Sequence, residues 1–321
     1  MRFSGKMSSM QLVRGLHNVR PDARGCVATI GNFDGVHLGH QQILQRLVAR
    51  ARLLELPACV IIFEPQPLEY FNREQAPVRL SRLRDKLELF ARHEIDWVLC
   101  IAFNRKLQQL TAQEFVEQAL VQALAVKHLQ VGDDFRFGCD RSGDFAYLQQ
   151  SGAQLGFSVE PTRTVSLAGE RISSTAIRNA LAGGELDKAA QMLGRPFSIS
   201  GRIMHGQKLG RKLRAPTANV QLKRFQAPMQ GVFIVQALLA DGRLVPGVAN
   251  IGMRPTVEQS GRAYLEVHLL DFDEDIYSQR MTVIFVKKLR DEEKFATIDQ
   301  LQEAIAADIE QAGRYWQQNA P

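Results

Sequence analysis

The chain of 321 residues contains no run of the apolar length, about 18–20 residues, that a membrane-crossing helix needs. Its first residues, MRFSGKMSSMQLVRGLHNV, carry early positive charge but not the continuous apolar stretch of a secretory leader, so a cytoplasmic protein with no membrane partner is expected. Cysteine is scarce. Cys26, Cys59, Cys100 and Cys139 are widely spaced and never form C-x-x-C, which speaks against a zinc knuckle or a redox pair. Three of them lie in apolar, strand-like runs and read as buried, reduced thiols. Internal repeats and low-complexity tracts are absent, as is the G-x-x-x-x-G-K-[ST] phosphate loop, so a solenoid, a disordered linker and a P-loop kinase all drop out.

What is present is ordinary globular material, 45% hydrophobic and 23% charged. At roughly 100–200 residues per domain the length implies two domains, each able to bury its own core. A net charge of +6 and a pI of about 9.2 suit a nucleic-acid binder or an enzyme handling polyanionic nucleotides. The position of the charge has to decide between them.

From about residue 26 to 160, apolar runs alternate with amphipathic ones. CVATIG (26–31), ACVIIF (58–63), WVLCIAF (97–103) and HLQVG (128–132) are the strand candidates. Between the first two, Ile43, Leu44, Leu47, Val48, Ala51 and Leu54 keep a helical period and form one buried stripe. Near-continuous apolar strands separated by helices predict a doubly wound parallel sheet covered on both faces. The period changes at GRPFSISG (194–201), after a helical stretch around 174–193. FSISGRIM, GVFIVQALL, RLVPGVANI, RAYLEVHLL and MTVIFVKKL then follow one another with turn signals between them, predicting an antiparallel β-barrel or sandwich. In Thr297–Trp316 the residues Ile298, Leu301, Ile305, Ile309 and Trp316 share a helical face that would cover the barrel. The expected domains are 1–186 and 187–321.

The sharpest motif is Gly31-Asn32-Phe33-Asp34-Gly35-Val36-His37-Leu38-Gly39-His40, between the first strand candidate and the first helix. That is where an α/β sheet binds ligands: helix-start N–H groups face an anion, the macrodipole favours negative charge, and glycines admit a phosphate to the main chain. His37 and His40 lie three apart, so on one incipient turn both imidazoles can meet the same anion. In-line attack on the α-phosphate of ATP needs donors for the charge that builds on the phosphorus and on pyrophosphate, and two imidazoles supply them. A zinc pair would need further ligands, and none stands near in sequence.

GNFDGVHLGHQQIL resembles the H-x-G-H signature of nucleotidyltransferases, and in particular that of the bacterial bifunctional riboflavin kinase/FAD synthetases. VGDDFRFGCDRSGD (131–144) is similar to that family's flavin and nucleotide loop, and Ile172-Ser173-Ser174-Thr175-Ala176-Ile177-Arg178 to its I-S-S-T-x-I-R motif. Read by itself, the latter opens a helix with cap and phosphate-donor residues Ser173, Ser174 and Thr175, with Arg178 one turn in. The resemblance implies that Arg178 clamps the outer phosphates and that Asp134 makes a polar contact to substrate. Where the family has Pro-His-Pro, this chain has Pro65-Gln66-Pro67.

In the second half, Gly201–Arg214 concentrates basic residues between glycines, including Gly206, Lys208 and Gly210. An RNA patch interleaves aromatics with its charge, and none occurs here before Phe225. A flap over a triphosphate accounts for the composition better, and no nucleic-acid partner is expected. Pro216-Thr217-Ala218-Asn219 resembles the riboflavin kinases' P-T-A-N, which implies that Thr217 and Asn219 hold Mg²⁺, a hard cation that prefers oxygen ligands. Arg214-Ala215 stands where the family usually shows Gly-Phe. Strand alternation puts Tyr264, Glu266 and His268 on one face, and the resemblance makes Glu266 the base. The family implies ATP, riboflavin and FMN as substrates, with FMN made by the C-terminal half and FAD by the N-terminal half. Oligomeric state is not legible.

Overall fold

The computed structural model describes residues 10–20, 24–167, 169–205, 216–222, 226–254 and 262–319. The chain divides into two compact units, Met1–Pro77 with Arg82–Ile172, and Val78–Ser81 with Ser173–Pro321.

The first unit is built on strands β1 (Gln11–Arg14), β2 (Val27–Ile30), β3 (Ala58–Glu64), β4 (Trp97–Ala102), β5 (His128–Val131) and β6 (Ser158–Pro161). They lie in the order β1-β4-β3-β2-β5-β6, and every neighbouring pair is parallel. Helices α1 (Leu38–Leu53), α2 (Pro67–Phe71), α3 (Leu83–Arg92), α4 (Arg105–Gln108), α5 (Ala112–Phe115) and α6 (Phe145–Leu155) connect them, α5 running on into a π-helical segment, Val116–Ala123. Alternate strand residues feed two cores. Cys26, Ala28, Ile61, Leu99 and Leu129 pack with Phe115, Leu120 and Leu148 on one face, whereas Val27, Val60, Ile62 and Val98 pack with Leu44, Leu47, Ala51 and Phe90 on the other. The sheet is therefore doubly wound, as the apolar runs predict. In α1 the stripe holds except at its end, where Leu54 is the C-cap and exposed. A two-stranded ribbon of β7 (Ser166–Leu167) and β8 (Glu170–Arg171) follows β6.

The second unit opens with α7 (Ser174–Ala182) and α8 (Leu186–Leu193). Strands β9 (Ser198–Met204), β10 (Ala218–Val220), β11 (Gly231–Leu238), β12 (Leu244–Arg254), β13 (Arg262–Leu269) and β14 (Arg280–Arg290) then close an antiparallel barrel in the order β10-β13-β12-β11-β14-β9. Two register shifts between β11 and β14 bend the sheet where it must curve to close. The terminal helix α9 (Ile298–Gln318) covers the outside of the barrel, with Ala312, Ile309, Tyr315 and Trp316 against Val232, Ile234 and Val248.

The covering face of α9 differs from the expected stripe in one respect. Ile298 is 68% exposed, while Asp308, an acid in the sequence pattern, is buried. The reason is an ion pair: Arg290 of β14 donates from Nε and Nη2 to the Asp308 carboxylate at 3.1 and 2.8 Å. Such a forked pair fixes both distance and orientation, so it locks the helix to one rotation about its axis. Asp308→Ala leaves the guanidinium without its partner in a half-dry setting, and should cost about 2–3 kcal/mol. Urea unfolding followed through Trp316 fluorescence measures it; an unchanged midpoint would mean apolar packing alone seats α9.

Candidate active sites

In the first unit the chain runs β2 to β3 to β4 in one direction across the sheet, then returns to place β5 and β6 on the other side of β2. The carboxyl ends of β2 and β5 therefore flank a switch point, where the diverging connections leave a crevice. The β2 end carries Gly31–His37 and the β5 end carries Gly132–Phe137, so both expected nucleotide loops, with His37, His40 and Asp134, border this crevice. Asp134 is exposed, and its carboxylate lies 3.9 Å from Nη2 of Arg171.

The loop after β2 is strained. Phe33 and Val36 have φ of 47° and 42°. For a β-branched valine this is a costly conformation, of order 1–3 kcal/mol. Burial holds it: Phe33, Asp34 and Val36 are all nearly inaccessible, and the Phe33 ring meets Phe90 edge-on at 5.5 Å. Gly31 N–H donates to the Ile61 carbonyl at 3.1 Å, tying the loop's start to β3. His37 then caps α1, its Nδ1 accepting from the His40 N–H at 3.2 Å. A nitrogen that accepts carries no proton, so the His37 hydrogen is on Nε2. Gly39 allows the ring to fold back on the helix, for a Cβ there would stand 3.1 Å from the imidazole.

The cap corrects one detail of the sequence reading. Of the first-turn N–H groups only those of Leu38 and Gly39 are left open among the described residues, because His37 occupies that of His40. The two imidazoles do come together, stacked at 3.6 Å between centroids with 16° between planes. Burial pushes the His40 pKa well below its usual 6.5, and the neighbouring His37 and the Lys86 charge push it the same way. His40 is held as neutral imidazole, its buried Nδ1 having no hydrogen-bond partner among the described residues.

Lys86 is a residue the sequence reading missed. It is fully buried on α3 and donates from Nζ to the Asn32 carbonyl at 3.0 Å, bracing the loop from behind. The signal was available: Lys86 falls on the Leu83, Leu87, Phe90 stripe, where a charge has no place unless something fixes it. Also missed is an aromatic group at the carboxyl ends of β3 and β4. Phe103 lies 5.4 Å from Tyr70 and 5.6 Å from Phe71, and Leu68 and Phe71 are each 58% exposed. Gln66, in the place of the family's histidine, is buried at the start of α2, with no hydrogen-bond partner for Nε2 among the described residues.

The I-S-S-T-x-I-R segment opens α7 in the second unit. Ser173 is the N-cap, its hydroxyl accepting from Ala176 N–H at 3.1 Å, and Thr175 is exposed. Arg178 Nε donates to the Val78 carbonyl at 2.6 Å. Gly206, Lys208 and Gly210 of the basic stretch, and Arg214-Ala215, lie outside the described residues.

On the barrel, Leu265 and Val267 are buried inside, so the alternating Tyr264, Glu266 and His268 face outward. Registration sets a row across three strands: Glu266 of β13 is paired with Asn219 of β10 on one side and with Asn250 of β12 on the other. Directly paired residues hold their Cβ atoms about 4.5–5.5 Å apart. His268 fixes the start of β10, its Nδ1 lying 2.9 Å from the Pro216 carbonyl. Since a carbonyl only accepts, that nitrogen bears the proton. Tyr264 Oη donates to Glu292, and burial with that bond raises its pKa. Among the described residues no group of three or more His, Cys, Asp or Glu is placed to hold a metal ion.

Comparison with known proteins matches both halves. The family described as FAD synthetase covers residues 19–176, and the one described as riboflavin kinase covers residues 193–316. A bifunctional riboflavin kinase/FMN adenylyltransferase of Pseudomonas fluorescens is 58% identical over 94% of this chain and 96% of its own length. Its counterpart from Escherichia coli K12 is 51% identical over 93% and 96%. The crystal structure of a protein named macrolide-efflux protein, from Streptococcus pneumoniae, superposes with a TM-score of 0.75 at 26% identity, covering 94% of this chain and 98% of that one. In the present chain no described helix is long and apolar enough to cross a membrane. With a parallel-sheet FAD synthetase half followed by a riboflavin kinase barrel, the chain belongs to the bifunctional riboflavin kinase/FMN adenylyltransferases, which make FMN from riboflavin and FAD from FMN.

Proposed function

We propose that the switch-point loop of the first unit carries adenylyl transfer and that the Asn219, Glu266, Asn250 row carries phosphoryl transfer, the functional halves being 1–186 and 187–321. The observation that supports the first assignment most directly is the stacking of His37 on the neutral His40 ring at the N-terminus of α1. A phosphate oxygen of FMN attacks the α-phosphorus of ATP, and pyrophosphate departs with the bond electrons. The chain supplies donors for that charge: the Nε2–H of His37, the Leu38 and Gly39 N–H groups and the α1 macrodipole. Gly31, Asp34 and Gly39 shape the cradle, and Asp134 lies at the neighbouring strand end. Ser173, Ser174, Thr175 and Arg178 are proposed as nucleotide contacts from the family pattern. The aromatic group around Phe103, exposed at the same edge of the sheet, offers a flat apolar surface of the kind an isoalloxazine ring stacks on.

On the barrel, Glu266 takes the proton of the riboflavin hydroxyl that attacks the γ-phosphorus, and ADP leaves. Thr217 and Asn219 are proposed as Mg²⁺ ligands. Two neutral oxygens suit an ion that keeps its waters and binds phosphates, and would hold it poorly without them. When bound with ATP, the ion screens the phosphate charge. Gly206, Lys208 and Gly210 are proposed to close over the triphosphate. A reducing, cytoplasmic setting agrees with the unbridged Cys26 and Cys59 thiols; burial raises the Cys59 pKa, and the neighbouring Cys26 raises it further.

Incubation with riboflavin, ATP and Mg²⁺, with products separated by chromatography, tests the assignments. His40→Ala should abolish FAD formation while riboflavin is still phosphorylated. Glu266→Gln should do the reverse, lowering FMN formation by roughly 10²–10⁴ and leaving adenylylation of added FMN intact. Loss of both activities in either variant would contradict separate sites.

The acid limb gives a second check. Because the native His40 pKa lies below 6.5, the neutral ring persists as pH falls through that value, and adenylylation should not decline there through His40. Lys86→Met removes one of the three influences that lower it, so the acid limb of kcat/KM for FMN should move up toward 6.5 relative to wild type. Substrate ionisation is common to both enzymes and cancels in the comparison. An unshifted limb would disconnect Lys86 from His40.

A further inference from the structure

Beside Glu266 lies a chain of hydrogen bonds whose protons can be counted. Tyr264 Oη has one hydrogen and donates it to Glu292. Its oxygen can then only accept, and it accepts from Asn250 Nδ2 at 3.0 Å. The reverse orientation of the amide would set two lone pairs against each other, so the Asn250 flip is fixed by chemistry. The glycine at 252 is part of the arrangement. It pairs with Tyr264 across the strands, and a Cβ there would stand 2.5 Å from a Glu292 carboxylate oxygen. The anchoring carboxylate sits in the space that the missing side chain leaves.

The consequence falls on the other atom of the amide. Asn250 Oδ1 is buried and has no hydrogen-bond donor among the described residues. A buried acceptor left without a donor is uncommon and calls for a physical reason. This one is held rigidly, on the residue directly opposite Glu266. Two oxygens that accept, a carboxylate and an amide carbonyl, thus stand side by side on the barrel face.

We propose that Asn250 is a specificity-determining residue for the kinase substrate: its fixed amide oxygen receives a hydroxyl donated by the polyol chain, next to the hydroxyl that Glu266 deprotonates. The proposal rests on assigning the kinase reaction to this row. It makes the row a reader of neighbouring hydroxyls, each a donor, and the Glu292–Tyr264 relay the device that stops the amide from rotating to offer its NH₂ instead. Asn250 positions and selects; it takes no proton.

The test uses the full-length enzyme with riboflavin and a set of flavins each lacking one ribityl hydroxyl other than the one phosphorylated. Wild type should discriminate against one of these by about tenfold or more in kcat/KM, as sites built to bond a hydroxyl reject analogues without it. Asn250→Leu should raise KM for riboflavin and erase that discrimination, with KM for ATP unchanged as the sign that the barrel is folded. Tyr264→Phe, which frees the amide to rotate but keeps the ring, should fall between the two. Undiminished discrimination in Asn250→Leu, or none by wild type against any of the set, overturns the proposal. Wild-type enzyme that forms no FMN from riboflavin would instead overturn the underlying assignment.

Discussion

The proposed adenylylation site depends on one constraint, the reversal of strand order at β2. Because β3 lies on one side of that strand and β5 on the other, the connection after β2 opens at the switch point. It can turn sharply into α1 instead of spanning a gap. The turn is tight enough to force Phe33 and Val36 into left-handed backbone, and its cost is offset by burying Phe33 on Phe90 and by bonding Lys86 Nζ to the Asn32 carbonyl. Strain and burial together leave His37 at the helix cap and His40 one turn on, with rings in contact. A looser loop would let His40 hydrate and protonate, since burial is the largest cause of its lowered pKa.

The barrel reaches an equivalent result by different means. Its left-handed residues Asp271 and Ser278 lie between β13 and β14, and it is registration that aligns Asn219, Glu266 and Asn250 across β10, β13 and β12. A slip by one residue would turn every one of these side chains to the opposite face. The buried partners Leu265 and Val267 prevent it, since a slip would also expose them. The apolar interior of the barrel therefore keeps the polar exterior in order. The clamp of α9 by Arg290 and Asp308 secures the same wall from outside.

Much of this was legible in sequence, for identifiable reasons. β2, β3, β4 and β5 are continuous apolar runs because they are buried on both faces, and the five long barrel strands announce themselves by β-branched and aromatic content between turns. β1 and β6 went unread because they are the edges of the sheet. QLVR and SVEP are largely solvent-accessible and carry little apolar signal. Short β10 was seen only as a motif. The histidine motif and the outward face of Glu266 followed from local spacing. Lys86, Asp308 and Asn250 did not, because their roles are set by partners 54, 18 and 14 residues away. Periodicity marks such residues at most as charges in the wrong place.

The central claim is that the imidazole-capped start of α1 receives the α-phosphate of ATP. Crystals of the enzyme with a non-hydrolysable ATP analogue and Mg²⁺ test it directly. Electron density for the α-phosphate is expected within hydrogen-bond reach of the Gly39 N–H and of the His37 ring. Nucleotide bound elsewhere on the first unit, with that helix start untouched, would contradict it.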